Sequence, residues 1–384
     1  MPPTPLLLSA GEASGDMYAA RLATALKMRL DVEIFGMGGP QMRAAGVDVI
    51  TDYSEVSVVG ITEILSHLPS LIRAMRRLVS EAERRKPPFA ILTDFPGFHL
   101  RLARKLLPHG IQNIYYICPQ FWAWRPWRVR LVRRRFAEAL CIFPFEEKFF
   151  RDAGVPTKFI GHPLVGHVQE TEDRAAFYRR NRLDPAFPLV TILPGSRNSE
   201  LKQHMPILLE AIGEIARDRK CHFVIAAAHP GDVAVLQAQI SSLPASISAQ
   251  VVEDQTYNAL AAADAAIVSS GTATVEAALL NTPMVVVYRL TPLTAALAKP
   301  LVRTRFFAMV NLIAGRLAVP ELIQKDFTGP RAAQEILRLL SDPQAKSLLR
   351  VGLEEVRQRL GPPGAVERAA DAIVNLLTNS KSNA

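Results

Sequence analysis

The sequence predicts an α/β protein with two doubly wound parallel sheets that face each other across a central cleft. At 384 residues the chain is too long for one ordinary hydrophobic core and has the length of two domains. Short apolar runs alternate with longer stretches of helical periodicity, which is the pattern of parallel strands covered by helices on both faces. This alternation occurs once before and once after a Gly/Pro break at residues 161–164. Proteins of this class bind ligands at the carboxyl ends of their strands.

Six runs in the first half predict strands, because each is too short for a helix and apolar on both faces. They are residues 6–9, 32–35, 89–93, 113–118, 139–143 and 158–160. Helical periodicity between them predicts helices at residues 16–27, 61–85, 99–106 and 146–153. The first predicted domain therefore covers residues 1–164.

The second half repeats the scheme without an obvious sequence repeat. Strands are predicted at residues 189–193, 223–227, 250–252, 265–269 and 284–287. Helices are predicted at residues 200–216, 233–241, 257–262 and 274–280, and three more close the chain at 331–340, 343–359 and 366–377. The second predicted domain covers residues 165–342, and a C-terminal helical segment covers 343–384.

Composition narrows the class of protein further. Hydrophobic residues make up 49% of the chain and charged residues 21%, which is typical of a globular protein rather than a disordered one. Its three cysteines are scattered and form no C-x-x-C pair, so we expect a reducing cytosol and neither disulfides nor structural zinc. No apolar stretch approaches the roughly 20 residues of a membrane span, and the N-terminus lacks the features of a signal peptide.

One segment concentrates aromatic and basic side chains. It holds all three tryptophans, Trp122, Trp124 and Trp127, next to Phe121 and six arginines between residues 125 and 135. Residues 95–137 contain no Asp or Glu, and the whole chain has a net charge of +9. Indole rings beside cations suit an anionic membrane surface, but arginines and aromatic rings also hold nucleic acids. A solvated basic helix with its tryptophans in the core is the third interpretation.

Two turns of the first half carry carboxylates at predicted strand ends. Residues 9–16, Ser-Ala-Gly-Glu-Ala-Ser-Gly-Asp, lead from a strand into a helix, where small residues and free N–H groups favour an anion or a polar sugar. Glu12 suits sugar hydroxyls better than phosphate; a plain turn with Ser14 or Asp16 as N-cap is the alternative. Asp94 ends a strand and is a candidate general base, or else the acid of an Asx-turn. The Gly-Met-Gly-Gly turn at 36–39 is no G-x-G-x-x-G, so a dinucleotide cofactor is not expected.

Two turns of the second half predict an anion site. Gly195 and Ser196 offer backbone donors and Arg197 a planar fork suited to pyrophosphate. In residues 269–276, Ser-Ser-Gly-Thr-Ala-Thr-Val-Glu, hydroxyls and N–H groups crowd a helix start that suits a diphosphate, and Glu276 suits a ribose; Ser/Thr capping alone is the alternative. No Asp-x-Asp pair exists, so no metal site is expected. We expect ordinary roles for His162, His204 and His229.

Together these segments resemble the lipid-A-disaccharide synthase family, glycosyltransferases with two Rossmann-like domains (GT-B architecture). The resemblance covers essentially the whole chain. It is carried by SAGEASGD (9–16), GMGGPQM (36–42), VVGITEIL (58–65), TDFPGF (93–98), FWAWR (121–125), FPFEE (143–147), FIGHPL (159–164), LPGSR (193–197), SSGTATVE (269–276) and NLIAGR (311–316).

The resemblance implies a metal-independent, inverting transfer of 2,3-diacylglucosamine from UDP to 2,3-diacylglucosamine 1-phosphate through a β-1,6 linkage. The products are lipid A disaccharide 1-phosphate and UDP, with no cofactor beyond the UDP-sugar substrate. It also implies a cytoplasmic enzyme held peripherally at the inner membrane, a homodimer with exchanged C-terminal segments, and no nucleic-acid partner.

The resemblance assigns roles to particular residues. Asp94 would be the base and Glu12 would lie on the acceptor side. The UDP-sugar would contact Gly195, Ser196, Arg197, Ser270, Gly271, Thr272, Ala273, Glu276 and Asn311. The acceptor or the membrane would contact Ser14, Gly15, Phe121, Trp122, Trp124, Arg125, Trp127 and Arg128.

The chain departs from the family pattern beside the candidate base. Family members commonly read D-A-P-D-F-N where this chain has Asp-Phe-Pro-Gly-Phe-His at residues 94–99. Gly97 and His99 thus replace an acid and an amide, and His99 is a candidate substitute polar contact. A hydroxyl expected before the Trp-Ala-Trp pattern is also missing, since Cys118 stands there. A UDP-N-acetylglucosamine 2-epimerase-like enzyme and a non-enzymatic RNA- or membrane-binding module are the competing hypotheses.

Overall fold

The computed structural model describes residues 2–56, 64–291 and 304–382. The chain divides into two compact units. The first unit comprises Met1–Pro163 with Gly361–Ala384, and the second comprises Leu164–Leu360. The first crossing between them therefore lies inside the predicted Gly/Pro break.

The first unit contains, among its described residues, a parallel sheet of seven strands in the order β3-β2-β1-β4-β5-β6-β7. The strands are β1 Thr4–Ala10, β2 Val32–Gly38, β3 Asp48–Asp52, β4 Phe89–Thr93, β5 Gln112–Tyr116, β6 Glu138–Cys141 and β7 Thr157–Phe159. The chain builds outward from β1 in one direction and then returns to place β4 on the other side of β1. The loops after β1 and β4 therefore diverge at a topological switch point, where doubly wound sheets bind ligands.

Helices cover the sheet of the first unit. They are α1 Ala13–Lys27, α2 Pro40–Ala44, α3 Ile64–Arg85, α4 Pro96–Leu106, α5 Phe121–Trp124, α6 Val129–Arg135 and α7 Pro144–Asp152. Residues 61–63 of the predicted helix at 61–85 lie outside the described residues. Leucine and alanine side chains of α1 and α4 are buried against the strands, as the apolar periodicity predicts.

The second unit repeats this topology with a parallel sheet that has, in the described chain, six strands in the order β10-β9-β8-β11-β12-β13. The strands are β8 Leu189–Leu193, β9 His222–Ala226, β10 Ser248–Val252, β11 Ala265–Ser269, β12 Met284–Tyr288 and β13 Glu321–Ile323. The helices are α8 Arg174–Arg180, α9 Asn198–Asp218, α10 Val233–Ile240, α11 Thr256–Ala262, α12 Thr272–Leu279, α13 Met309–Ala314, α14 Gly329–Ser341 and α15 Pro343–Arg359. Its switch point lies between β8 and β11. The predicted α/β class with two Rossmann-like sheets is confirmed.

The C-terminal segment divides differently from the predicted 343–384 unit. Helix α15 belongs to the second unit, where Arg359 donates to the carbonyls of Ile313 and Ala314 at 3.0 Å. The last helix, α16 (Ala365–Ser382), belongs to the first unit and contacts α1. Gly361 starts the change of direction with a φ of +86°, a conformation that favours glycine. No helix in the described residues is long and apolar enough to cross a membrane.

Candidate active site

The carboxylate side chains of Glu12 and Asp94 lie at the switch point of the first unit. Strands β1 and β4 are adjacent and parallel, and Ala10 pairs with Thr93 at their carboxyl ends. Glu12 follows two residues after β1, and Asp94 follows β4 directly. Glu12 is exposed, whereas Asp94 is only partly exposed. The structure thus brings together the two residues predicted to be catalytic.

The surroundings of Asp94 make its carboxyl a weak acid. Burial is the largest cause that raises its pKa, the negative charge of Glu12 is the second, and a hydrogen bond from the Phe95 N–H partly offsets them. The resulting pKa of Asp94 is about 7. A carboxylate with a pKa near the working pH can take a proton from a hydroxyl during reaction and release it afterwards.

The turn that carries Asp94 has an unusual backbone. Asp94 and Phe95 have φ values of +47° and +45°, and a residue other than glycine pays about 1–2 kcal/mol for this left-handed conformation. A Cβ atom at Gly11 would lie 2.2 Å from the Phe95 ring, so glycine at this position lets the ring pack against the loop before Glu12. The contact couples the two carboxylate-bearing turns.

His99 and Tyr115 hold the main-chain carbonyl of Asp94. The distance from His99 Nδ1 to this oxygen is 2.8 Å, and the Tyr115 hydroxyl donates to it at 3.1 Å. His99 Nε2 lies 2.8 Å from Ser9 Oγ in β1. The His99 ring is fully buried. The polar contacts of this ring are therefore internal, to Ser9 and to the Asp94 carbonyl.

Asp16 stabilises a neighbouring turn rather than its own helix. Its carboxylate accepts hydrogen bonds from the N–H groups of Gly39 at 2.6 Å, Gln41 at 3.0 Å and Met42 at 3.2 Å. These contacts cap α2, while the N-cap of α1 is Glu12, whose side chain caps nothing. The alternative that Ser14 or Asp16 caps α1 is therefore wrong. Ser14 is exposed at the start of α1, and Gly15 is buried against Ala10.

The aromatic and basic segment is divided between core and surface. Phe121 is fully buried, so the predicted contact of Phe121 with acceptor or membrane does not hold. Trp127 is 59% exposed, and the Arg128 guanidinium lies over its ring at 5.6 Å. Burial lowers the pKa of Arg128, and repulsion from Arg125 lowers it further. Helix α6 buries Val129 and Val132 and exposes arginines 130, 133 and 134. The side chain of Trp124 lies outside the described residues.

Sequence reasoning missed Glu146, which holds Trp122. The Trp122 indole N–H donates to Glu146 Oε1 at 3.1 Å, and the Phe143 N–H donates to Oε2 at 3.3 Å. Glu146 is fully buried, and burial raises its pKa to about 8. The FPFEE motif is the signal that could have located it, since an acid three residues after the helix N-cap can accept from the N–H of the N-cap residue, as Glu146 does here.

A pocket of about 600 Å³ lies at the carboxyl ends of the strands of the second unit. Its walls come from the turns after β8 and β11 and from the loop that precedes α11. Eight residues predicted to bind the UDP-sugar line it: Gly195, Ser196, Arg197, Ser270, Gly271, Thr272, Ala273 and Glu276. These residues, predicted from two separate turns of the sequence, therefore line one pocket.

The turn after β8 is already filled by a side chain that sequence reasoning missed. Glu200 Oε2 accepts from the N–H groups of Ser196 at 3.0 Å and Arg197 at 3.4 Å, and Oε1 lies 3.2 Å from the Arg197 guanidinium. Gly195 has a φ of +125°, and a Cβ there would come within 2.6 Å of Glu200. The backbone donors expected for a ligand are therefore occupied, and the largely exposed Arg197 side chain is what this turn offers.

The turn after β11 is open by contrast. The first turn of α12 has no capping side chain at its N-cap, Gly271. Ser269 Oγ is buried at the same turn and, among the described residues, has no hydrogen-bond partner. Glu276 lies in α12, one turn after its first residue, Thr272, and accepts a hydrogen bond from the Tyr257 hydroxyl at 3.0 Å. An uncapped helix start with an unsatisfied hydroxyl suits an anion.

The side chain of Asn311 makes hydrogen bonds within the second unit. Its side chain is fully buried; Nδ2 donates to the Val319 carbonyl at 2.9 Å and to Glu321 Oε1 at 2.7 Å, and Oδ1 accepts from the N–H groups of Ala318 and Val319. It is not among the residues that line the pocket. The predicted contact between Asn311 and the nucleotide is therefore not supported. Across residues 2–56, 64–291 and 304–382, no three His, Cys, Asp or Glu side chains converge as a metal site would require.

Comparison with known sequences points to one family. A family model described as lipid-A-disaccharide synthetase matches residues 6–372. The lipid-A-disaccharide synthase of Solibacter usitatus is 45% identical over 97% of this chain and 97% of its own length. That of Koribacter versatilis is 44% identical over 97% of this chain and 98% of its own length.

Solved structures share the fold at low sequence identity. MnaA of S. aureus, in a co-structure with UDP, has a TM-score of 0.67 and 12% identity, covering 98% of this chain and 97% of its own. MurG of Acinetobacter baumannii has a TM-score of 0.60 and 16% identity, covering 97% of this chain and all of its own (100%). Similarity at this level of identity concerns the fold alone.

Proposed function

The chain belongs to the lipid-A-disaccharide synthase family, and we propose that it transfers 2,3-diacylglucosamine from UDP to the 6-hydroxyl of 2,3-diacylglucosamine 1-phosphate. The observation that carries the mechanism is the carboxyl of Asp94. It lies at the switch point of the first unit with a pKa raised to about 7 and a second carboxylate, Glu12, beside it. The β-1,6-linked disaccharide 1-phosphate and UDP are the products.

In the proposed reaction the first unit holds the acceptor. The Asp94 carboxylate accepts the proton of the 6-hydroxyl while that oxygen forms a bond to the anomeric carbon of the donor sugar. The bond from this carbon to the β-phosphate oxygen of UDP breaks on the opposite face, so the configuration inverts. Glu12 is exposed beside Asp94, where it can bind an acceptor hydroxyl, and its charge raises the basicity of Asp94.

The second unit holds the UDP group in this proposal. Negative charge grows on the diphosphate as the bond breaks, and the open start of α12 with Ser269 offers donors for it. The Arg197 guanidinium adds a positive charge at the same pocket, and Glu276, which also lines it, accepts from the ribose hydroxyls in this proposal. We propose no metal in the reaction, and a chelator should then leave the rate unchanged.

We further propose that the protein works at the cytoplasmic face of the inner membrane as a peripheral homodimer. Both substrates carry acyl chains, and the exposed Trp127 stands next to the exposed arginines of α6. Indole rings and arginines together favour an anionic leaflet. Helix α16 packs within the first unit of its own chain. We propose that in the homodimer this segment is exchanged between the subunits.

The competing functions have weaker support. The likeness to an epimerase rests on solved structures of low identity, such as the UDP-GlcNAc 2-epimerase of Neisseria meningitidis at 12%, whereas synthase relatives reach 45% identity. Incubation with UDP-diacylglucosamine and the monophosphate acceptor, followed by mass analysis, separates the two enzymes. We expect the disaccharide and UDP; an epimerised donor with no disaccharide would contradict the proposal. Tight, strongly salt-dependent RNA binding with both sugars unchanged would favour the non-enzymatic module.

A further inference from the structure

The strained turn at Asp94 requires something to hold it. Left-handed residues other than glycine persist where their surroundings fix them, and here two follow each other. The Asp94 N–H donates to the Tyr116 carbonyl at 3.2 Å, which ties the turn to β5. Its carbonyl receives His99 Nδ1 at 2.8 Å and the Tyr115 hydroxyl at 3.1 Å. Of these two donors, His99 also contacts a residue of β1, namely Ser9.

The partners of His99 determine where its ring carries hydrogen. A carbonyl oxygen only accepts, so Nδ1 bears the proton and donates to Asp94. Nε2 then accepts from the hydroxyl of Ser9, at 2.8 Å. Burial lowers the pKa of His99 to about 4, so the ring stays neutral at the pH of the cytosol. The direction of both hydrogen bonds is thereby fixed.

Ser9 and Asp94 belong to the two strand ends from which the proposed catalytic carboxylates extend. Ser9 is in β1, three residues before Glu12, and Asp94 directly follows β4. We infer that His99 is a positioning residue which, through Ser9 and the Asp94 carbonyl, fixes the Asp94 turn against β1 and so sets the geometry of the base relative to Glu12. This inference rests on the proposed function, because it assumes that Asp94 is the base.

The inference accounts for the departure from the family pattern at this position. The amide nitrogen of asparagine is three bonds from Cα, as is Nδ1 of histidine, so asparagine can supply the same donor to Asp94. Glutamine instead places its amide four bonds from Cα, where histidine has Nε2. His99→Asn therefore keeps the link to Asp94 and loses the link to Ser9, whereas His99→Gln does the reverse.

The test measures kcat, both KM values and the pH dependence of kcat for these two variants. His99→Asn keeps the donor to Asp94 but loses the link to β1, so kcat should fall about three- to tenfold, less than in His99→Gln. His99→Gln should lower kcat on the order of tenfold to a hundredfold, since a displacement of about 1 Å can cost that much, while the KM for the donor is unchanged. A loosened turn admits water to Asp94, which lowers the pKa of its carboxyl. The acid limb of the pH profile of kcat, where the rate falls because Asp94 is protonated, should therefore move to lower pH in the Gln variant.

A matched control separates positioning from loss of stability. His222 in the second unit is also buried; it accepts from the Asp184 N–H at 2.9 Å and lies 2.7 Å from Ser248 Oγ. His222→Asn should lower Tm without changing kcat per folded molecule or the acid limb. Tyr115→Phe, which removes the other donor to Asp94, should shift the limb in the same direction as His99→Gln but less.

Two outcomes would overturn the inference. One is a His99→Gln enzyme with wild-type kcat and pH profile. The other is an equal loss in both His99 variants with an unmoved acid limb, which would mean that the ring only fills space. Failure of the proposed function looks different: an Asp94→Asn enzyme that keeps wild-type activity would reject Asp94 as the base, whatever the His99 variants do.

Discussion

The two sheets carry opposite chemistry at corresponding positions. In the first unit the strands that flank the switch point are β1 and β4, and the turns after them present Glu12 and Asp94. In the second unit they are β8 and β11, and the turns after them present Arg197 and the open start of α12. One topology thus presents two carboxylates in one copy, and an arginine with an uncapped helix start in the other. The fold determines where a ligand binds, and the turn residues determine which ligand.

The first turn of each pair shows how local capping decides this outcome. After β1, Glu12 leaves the start of α1 without a side-chain cap and remains exposed. After β8, Glu200 folds back onto its own turn and accepts from the Ser196 N–H at 3.0 Å. Glu200 occupies the N–H donors of its own turn. The Glu12 side chain makes no such capping contact and is exposed, so a sugar hydroxyl can reach it.

The largest expected effect comes from removing the proposed base. Asp94→Asn keeps the shape and removes the basicity, so kcat should fall by about 10²- to 10⁴-fold, the usual contribution of a general base. UDP binds to the other unit in this account, so its Kd should not change. Steady-state rates and titration calorimetry measure both quantities. A large loss of UDP affinity with little change in kcat would break the comparison between the units.

The matching change in the second unit concerns the leaving group. Arg197→Lys keeps the charge but loses the planar fork, so turnover should fall roughly 10²-fold, the loss typical of a donor to a developing oxyanion. Ser196 and Arg197 N–H groups are occupied by Glu200 and cannot compensate. Turnover near wild type would reject this role for Arg197. Lys202 is exposed in α9, the helix that follows this turn, and the conservative change Lys202→Arg serves as the control for a substitution between the two cations outside the pocket.

Glu12 should affect the acceptor and the pH dependence. Glu12→Gln removes the second-largest cause of the raised pKa of Asp94, so the acid limb of kcat should move to lower pH, though not as far as an ordinary aspartate because burial remains. The apparent KM for the acceptor should rise several-fold. Rates from pH 5 to 9 provide the measurement. If instead Glu12→Gln abolishes turnover while Asp94→Asn does not, Glu12 is the base.

The surface prediction is smaller and concerns only long-chain substrates. The double change Trp127→Ser and Arg133→Gln should reduce sedimentation with anionic liposomes, since both side chains are exposed. Rates on short-chain soluble substrates should fall less than rates on long-chain ones. Trp122 is left intact because its indole is bound to Glu146. Equal losses on both substrates, with a lower Tm, would show that the changed residues support the fold.

The smallest expected effect is on stability. The pKa of Asp94 is higher in the folded protein than its ordinary value of 3.8, so ionisation opposes folding. The stability that the protonated Asp94 carboxyl contributes to the folded protein is fully present below about pH 4, and it is lost as the pH rises through 7. Asp94→Asn should therefore raise Tm at pH 8 by a few degrees relative to wild type and by less at pH 5. Calorimetric scans at the two pH values give the comparison, and a larger gain at pH 5 would contradict the buried, raised-pKa carboxyl.

The sequence predicts the sheets well because their strands are apolar on both faces. It misses β3 and β13, which are short edge strands with polar residues such as Asp48 and Glu321. The pocket of the second unit is predictable because glycine and hydroxyl residues follow strand ends in sequence. Contacts between distant segments are not, and this is why the internal roles of His99, Glu146 and Asn311 became visible only in the folded chain.

The pH dependence of the single-turnover rate tests the central claim most directly. With saturating donor and acceptor, wild-type enzyme should lose rate tenfold for each pH unit below about 7 and reach a plateau above it, because the Asp94 carboxyl must be ionised. Asp94→Asn should show a low rate with no such limb. A wild-type rate that is flat from pH 5 to 9, or an Asp94→Asn enzyme that keeps the same acid limb, would contradict the assignment of the base to the first unit.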